Sequence, residues 1–133
     1  MISCVDTNII LDVMANDPTF GDSSQILLSQ AYESGSLVIC DLVYAELAPQ
    51  FGSQDRLEAA LGVLGIRMVE GGSDVAYLAG TKWAEYRASG GSRQRMLADF
   101  MIGAHALLRG DCLLTRDRGF YRSYFPELKL VQD

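Results

Sequence analysis

The sequence contains one histidine and three cysteines among its 133 residues. The cysteines, Cys4, Cys40 and Cys112, lie far apart and beside aliphatic residues. Neither the spacing of a zinc site nor that of a disulfide framework is present. We therefore predict that all three thiols are small buried residues of a hydrophobic core.

Long apolar runs and an overall basic charge are also missing. No apolar stretch approaches the length that spans a bilayer, and the residues after Met1 do not resemble a secretory signal. We therefore expect a cytoplasmic protein without a membrane partner. The formal net charge of -6 argues against general attraction to nucleic acid.

The charge is unevenly distributed along the chain. Residues 87–122 contain seven arginines and three acids, a local charge of +4 that leaves -10 elsewhere. This segment is compatible with a basic binding surface and equally with an ordinary solvated set of charges, so the sequence leaves both interpretations open.

Short apolar segments alternate with helical patterns along the whole chain. The predicted strands are "ISCV", "LVIC", "IRMV", "CLLT" and a final "LKLV", and "RDRGF" is predicted to be the loop after the fourth strand. Helical spacing separates the first four strands, an alternation typical of a parallel sheet covered on both faces. We predict an α/β fold in a single domain spanning residues 1–133.

Four carboxylates are predicted to meet at one edge of this sheet. Asp6 and Asp117 follow the first and fourth strands, and ligands of parallel sheets gather beyond such carboxyl ends. Asp99 lies in the first turn of the helix that leads into the fourth strand and is predicted to begin near Leu97, and Glu46 lies about one turn into the helix after the second. Each acid also has an ordinary explanation as a helix cap, a turn residue or a solvated side chain.

An oxygen-rich site of this kind suits Mg²⁺ or Mn²⁺, which relieve the repulsion between carboxylates and support phosphoryl chemistry. The single histidine, His105, is turned away from Asp99 around the predicted helix, so we expect it to be structural. Asn8 and Thr115 are predicted to orient a ligand, although both also suit caps or turns. The candidates for binding substrate phosphates are Arg93, Arg95 and Arg116, the last of which is also placed to pair with a neighbouring carboxylate.

Four motifs occur in order along the chain: "DTN" after the first strand, then "YAEL", "LADFMIGAHA" and "LLTRDRGFY". Together they resemble the PIN-domain ribonucleases, and most closely the VapC toxin branch of type II toxin–antitoxin systems. The resemblance covers nearly the whole chain. It implies a three-layer α/β/α sandwich with a mostly parallel central sheet. It also implies that Asp6, Glu46, Asp99 and Asp117 form an acidic metal-binding quartet, with Asn8 and Thr115 at supporting positions.

The same resemblance implies an activity and partners. It suggests an Mg²⁺- or Mn²⁺-dependent endoribonuclease that cleaves structured RNA, transfer or ribosomal, through attack by water. It further implies a homodimer and a cognate VapB-like antitoxin whose peptide tail blocks the cleft. Many members carry another acid where Gly119 stands here, so the resemblance leaves the number of ions open.

Two other functions remain compatible with the sequence. Aspartate-nucleophile phosphohydrolases also place an acid after the first strand, but Asn8 replaces the second acid of their "DxD" motif. Only Lys82 and Lys129 are available for the lysine of such a site. Alternatively, the acids merely cap helices in a non-catalytic PIN-like binding module.

Overall fold

The computed structural model describes residues 1–90 and 96–131. The strands are β1 (Ile2–Val5), β2 (Ser36–Ile39), β3 (Ile66–Met68) and β4 (Cys112–Leu114). The helices are α1 (Thr7–Met14), α2 (Gly21–Ser34), α3 (Asp41–Leu47), α4 (Gln54–Leu64), α5 (Ser73–Ala88), α6 (Leu97–Arg109) and α7 (Arg118–Tyr124). Among the described residues, no helix has the length and apolar character needed to cross a membrane.

The four strands form one parallel sheet in the order β3-β2-β1-β4. β4 is buried throughout and β1 is buried at all positions except Ile2, which is partly exposed. Such continuous burial is expected when helices cover both faces of a parallel sheet. The predicted α/β fold and its three-layer α/β/α arrangement are confirmed.

The chain after β4 differs from the prediction. "RDRGF" was predicted to be a loop, but α7 begins within it at Arg118. This segment contributes Phe120 and Phe125, which are buried and pack against Phe100 of α6. Their ring centroids lie 5.2 and 6.1 Å from that of Phe100. Burial of such aromatic rings outweighs the turn preference that the glycine and the charged residues suggest.

The predicted final strand "LKLV" is reduced to a single parallel bridge between Leu113 and Leu130. The Leu113 N–H donates to the carbonyl of Lys129 at 2.9 Å, and the Val131 N–H donates to the carbonyl of Leu113 at 3.1 Å. Because β4 has only three residues, it offers little backbone for a longer ladder.

The thiols and the histidine belong to the core. All three cysteines are free and buried, as predicted, and burial raises the pKa of Cys4 to about 12. His105 is 1% exposed, and its Nε2 atom lies 2.6 Å from the carbonyl oxygen of Val69. Burial also lowers the pKa of His105, so the structural role predicted for this residue is confirmed.

Candidate active site

Asp6 is a buried carboxylate at the carboxyl end of β1, only 7% exposed. It is the N-cap of α1, and its Oδ1 atom accepts the Thr7 N–H at 2.7 Å. The Oδ2 atom accepts the hydroxyls of Thr115 at 2.7 Å and Tyr121 at 3.3 Å. The Asn8 side chain donates to the same oxygen at 3.4 Å. Several polar groups therefore fix the orientation of this carboxylate.

The electrostatics around Asp6 connect it with the other predicted acids. Burial raises the pKa of Asp6 to about 6, against the hydrogen bonds that lower it, and the charge of Glu46 adds to the rise. The pKa of the Tyr121 phenol is also raised, first by burial and then by Asp6, Asp99 and Asp117. All four predicted carboxylates therefore influence the same small region of the molecule.

The other three acids approach this region from different elements. Glu46, on α3, accepts the Thr7 hydroxyl at 2.7 Å, so it is linked to the residue next to Asp6. Asp99, in the first turn of α6, accepts the Met96 N–H at 3.1 Å. Asp117 immediately precedes α7, and its N–H donates to Thr115 Oγ1 at 3.0 Å. The ordinary explanations considered for two of these acids are therefore also realised, since Asp6 caps α1 and Asp99 lies near the N-terminus of α6.

No three histidine, cysteine, aspartate or glutamate side chains within residues 1–90 and 96–131 are grouped as a ready metal site. The residue types nevertheless fit a hard divalent cation, since all four side chains offer only oxygen. The raised pKa of Asp6 indicates a region where negative charge is unfavourable without a compensating cation. Asp6, Glu46, Asp99 and Asp117 are the residues that would hold such an ion.

The supporting residues predicted from the sequence contact Asp6 directly. Thr115 donates to Asp6 and accepts the Asp117 N–H, so one hydroxyl links two of the acids. Asn8 donates to Asp6 through Nδ2, while its Oδ1 atom accepts the Arg116 N–H at 3.2 Å. Their positions suit the orienting role, which stays a prediction.

Of the three candidate arginines, only Arg116 lies within the described residues, because Arg93 and Arg95 lie outside them. The Arg116 guanidinium pairs with the carboxylate of Asp12, with Nε 2.6 Å from Oδ2 and Nη2 3.0 Å from Oδ1. Pairing with a carboxylate was the alternative considered for this arginine, although the partner lies more than a hundred residues away in sequence.

Sequence analysis did not single out Tyr121, Thr7 or Asp12. The aromatic residue lies four positions after Asp117, the spacing that places two residues on one face of a helix, but α7 itself was not predicted. Asp12 lies on the otherwise apolar face of α1 that carries Ile9, and this pattern break was the available signal.

The protein is an α/β domain with a buried carboxylate at the carboxyl ends of its parallel strands, where ligands of such domains bind. The model of the PIN domain family matches residues 3–126 of the chain. The chain therefore belongs to the PIN domain family.

Several solved structures share this fold. VapBC2 from Rickettsia felis, bound to a promoter DNA fragment, is 21% identical with a TM-score of 0.75, covering 98% of each chain. VapBC-1 from nontypeable Haemophilus influenzae is 23% identical with a TM-score of 0.73, covering 99% of this chain and 98% of that one. A toxin–antitoxin complex from Klebsiella pneumoniae is 22% identical with a TM-score of 0.67, covering 98% and 96%. No curated protein sequence matches the chain.

Proposed function

We propose that this PIN domain is a metal-dependent endoribonuclease and acts as the toxin of a toxin–antitoxin pair. The observation that carries the proposal is the buried carboxylate of Asp6, with Glu46, Asp99 and Asp117 brought by separate elements of the chain to the region of Asp6 and Tyr121. Structured RNA, transfer or ribosomal, is the proposed substrate. Such a site suits the cleavage of a phosphodiester bond by water.

The proposed roles follow the contacts. Asp6, Glu46, Asp99 and Asp117 hold Mg²⁺ or Mn²⁺, and Asn8 and Thr115 keep Asp6 in a fixed orientation. When bound, the ion supplies a water of lowered pKa and neutralises charge on the departing oxygen. The proposed contacts to substrate phosphates come from Arg93, Arg95 and Arg116.

The proposed partners are a VapB-like antitoxin and a second copy of the chain, in the cytoplasm. Support for the antitoxin comes from the neighbours of the same fold, one of which is described as a toxin–antitoxin complex. These neighbours are less than 25% identical to the chain and establish its fold alone. Copurification of the chain with its proposed antitoxin tests the partnership.

The phosphohydrolase alternative is disfavoured by the position of the lysines. Lys82 donates to the carbonyl of Tyr124 at 3.0 Å and lies 3.8 Å from Glu127. Lys129 is exposed on the segment after α7. Neither lysine contacts Asp6, whose two oxygens accept hydrogen bonds from other groups.

RNA cleavage by purified variants tests the proposed reaction. Asp6→Asn and Asp99→Asn should each abolish cleavage of total cellular RNA in Mg²⁺ or Mn²⁺ while the proteins remain folded. Glu33→Gln is the matched control, because Glu33 lies just before β2 begins, at the opposite edge of the sheet. Cleavage that persists in either aspartate variant, free of contaminating nuclease, would refute the assigned roles.

Metal binding separates the nuclease from a non-catalytic module. Titration calorimetry should show Mn²⁺ binding to the wild type and to Glu33→Gln, and weaker binding to Glu46→Gln. Thermal unfolding should shift upward with Mn²⁺ in the same two proteins, since a ligand that prefers the folded state stabilises it. No heat and no shift at millimolar Mn²⁺ would favour the binding module.

A further inference from the structure

Arg116 is held by a carboxylate that is itself buried. Asp12, on α1, is 3% exposed, and both of its oxygens accept hydrogen bonds from the Arg116 guanidinium. Its Oδ2 atom also accepts the Ser24 hydroxyl at 2.7 Å. Asp12 is therefore well satisfied, and the guanidinium has one fixed orientation.

An aromatic ring holds the same guanidinium from its face. The Cζ atom of Arg116 lies 4.0 Å from the centroid of the Phe20 ring, a cation–π contact. Phe20 is 38% exposed, so its ring is accessible from solvent beside the guanidinium. Pairing through Nε and Nη2 leaves the Nη1 donors for another acceptor.

A surface cavity of about 460 Å³ lies against this arrangement. Its wall includes Arg116 and Arg118, the ring of Phe20, and the hydroxyl residues Thr19, Ser23 and Ser24. Within residues 1–90 and 96–131, no acid contributes to the lining. The nearby carboxylate of Asp17 accepts the N–H groups of Thr19 and Phe20, and these hydrogen bonds lower its pKa more than Arg116 does.

The Asp12 side chain is buried, whereas that of Arg116 is 36% exposed. An ion pair with a buried partner is a poor way to gain stability, because desolvation offsets most of the attraction between its charges. One structural purpose would be to fix α1 against the segment between β4 and α7. That purpose does not explain the cavity or the exposed ring beside the pair. A guanidinium fixed on two sides and open to a hydroxyl-lined cavity has the chemistry of a phosphate site.

The cavity lies beside the carboxylates. The Arg116 N–H donates to Asn8, which donates to Asp6, and Asp117 is the next residue in the chain. We propose that Arg116, oriented by Asp12 and Phe20, binds a backbone phosphate of the RNA strand next to the cleavage centre. This inference rests on the proposed function. Asp12 and Phe20 are positioning residues, since neither is proposed to contact the phosphate.

The first test is binding of single-stranded RNA at several KCl concentrations, measured by fluorescence anisotropy in an Asp6→Asn background that keeps the RNA intact. Arg116→Gln should weaken binding about tenfold and reduce the salt slope by about 0.7, the loss of one phosphate contact. Arg67→Gln is the control, because it removes one positive charge from an exposed position on β3, the edge strand on the opposite side of the sheet from β4. It should change neither the affinity nor the salt slope. Equal effects of the two substitutions would overturn the proposal.

The second test uses the sign of the effect at Asp12. Asp12→Asn removes a negative charge, so simple electrostatics predicts tighter RNA binding, whereas loss of a positioning residue predicts weaker binding, by about tenfold. Phe20→Leu leaves the ion pair intact and should also weaken RNA binding. This variant therefore tests the positioning of Arg116 even if Asp12→Asn unfolds. Tighter binding by Asp12→Asn, or unchanged binding by Phe20→Leu, would count against positioning.

A third measurement separates this inference from the nuclease itself. RNA oligonucleotides carrying one neutral methylphosphonate should reveal a single linkage that Arg116 contacts. Neutralising this linkage should weaken RNA binding by the Asp6→Asn variant but not by the double variant that also carries Arg116→Gln. If this coupling between the linkage and Arg116 is observed but the wild-type protein cleaves no RNA, the phosphate subsite is supported and the nuclease proposal is refuted. Cleavage by the wild type without coupling at any linkage would do the reverse.

Discussion

Thr115 Oγ1 lies 2.7 Å from Asp6 Oδ2, although the two residues are 109 positions apart in sequence. The contact follows from the register of the sheet, because Val5 at the end of β1 pairs with Leu114 at the end of β4. Asp6 and Thr115 are the residues that directly follow these two. The Asp6 N–H donates to the Leu114 carbonyl at 2.9 Å, which continues the pairing by one step. Strand register therefore brings the hydroxyl to the carboxylate.

Replacing Thr115 tests whether its hydroxyl or only its volume matters. Thr115 is 0% exposed. Thr115→Val keeps the shape but removes the shortest donor to Asp6 Oδ2 and the acceptor of the Asp117 N–H, so we expect a loss of about 1–3 kcal/mol in the free energy of unfolding. Thr115→Ser keeps the hydroxyl and should cost about 1 kcal/mol for one buried methyl group. Urea denaturation measures both, and a smaller loss for Thr115→Val than for Thr115→Ser would show that the hydroxyl contributes little.

The raised pKa of Asp6 predicts how stability depends on pH. Burial raises this pKa from 3.8 to about 6, so the folded protein holds the proton more tightly than the unfolded chain. The resulting stabilisation is full below about pH 4 and is lost as pH rises through about 6, a change of about 3 kcal/mol. Other acids titrate in the same range, so the relevant quantity is the difference between wild type and Asp6→Asn.

Urea denaturation in EDTA from pH 4 to 8 measures that difference. Relative to Asp6→Asn, the wild type should lose stability with rising pH and level off above about pH 7. Added Mn²⁺ at pH 7.5 should restore stability to the wild type alone. Parallel curves for the two proteins across this range would mean that Asp6 titrates as an ordinary exposed carboxyl.

Tyr121→Phe removes a hydroxyl that sequence analysis did not single out. The ring contacts with Phe120 and Phe125 should remain, while Asp6 loses a donor at 3.3 Å. We expect the pKa of Asp6 to rise further, because a hydrogen bond to the charged form is lost, with a destabilisation of about 1 kcal/mol. Carboxyl-detected NMR titration of the metal-free protein follows that pKa.

Tyr44→Phe is the control for this measurement. The Tyr44 hydroxyl donates to Glu58 at 2.9 Å and accepts from Gln54 at 3.1 Å, near the surface and away from Asp6. Its removal should leave the titration of Asp6 unchanged. A similar shift in both variants would indicate a general change in the protein, and no shift in Tyr121→Phe would remove that hydroxyl from the site.

The fold, and the placement of Asp6 and Asp117 after neighbouring strands, were accessible from sequence for one reason. Strand direction and the periodicity of the intervening helices fix which ends share an edge, and Asp6 and Asp117 follow strands that are neighbours in the sheet. Local patterns carry this information because a buried parallel strand is a nearly continuous apolar run, and the charged residues Asp6 and Asp117 come after such runs.

What sequence analysis missed depends on long-range packing. The helix α7 contains Gly119 and two arginines, and its aromatic residues pack against Phe100 of α6 and Tyr86 of α5, which favours its formation. The partner of Arg116 was equally hidden, since no local rule connects Asp12 with a residue 104 positions away. Without α7, nothing in the sequence placed Tyr121 beside Asp6.

The distance between α6 and the segment around α7 depends on Gly103. A Cβ atom at this position would lie 2.5 Å from the Phe125 ring. That ring is 0% exposed and is packed among Phe100 and Tyr121, with centroids 6.1 Å away, so it has little room to move. We expect Gly103→Ala to destabilise the protein by about 1–3 kcal/mol, despite the better helix propensity of alanine.

Gly80→Ala is the matched substitution on α5, where nothing lies within 4 Å of the added carbon. It should stabilise the protein by up to about 1 kcal/mol, because alanine costs less backbone entropy in a helix interior. Urea denaturation compares the two variants, and stabilisation by both would mean that the α6 packing is looser than described. Because α6 carries Asp99 and Asp117 borders α7, Gly103→Ala should also reduce the thermal shift with Mn²⁺, whereas Gly80→Ala should preserve it.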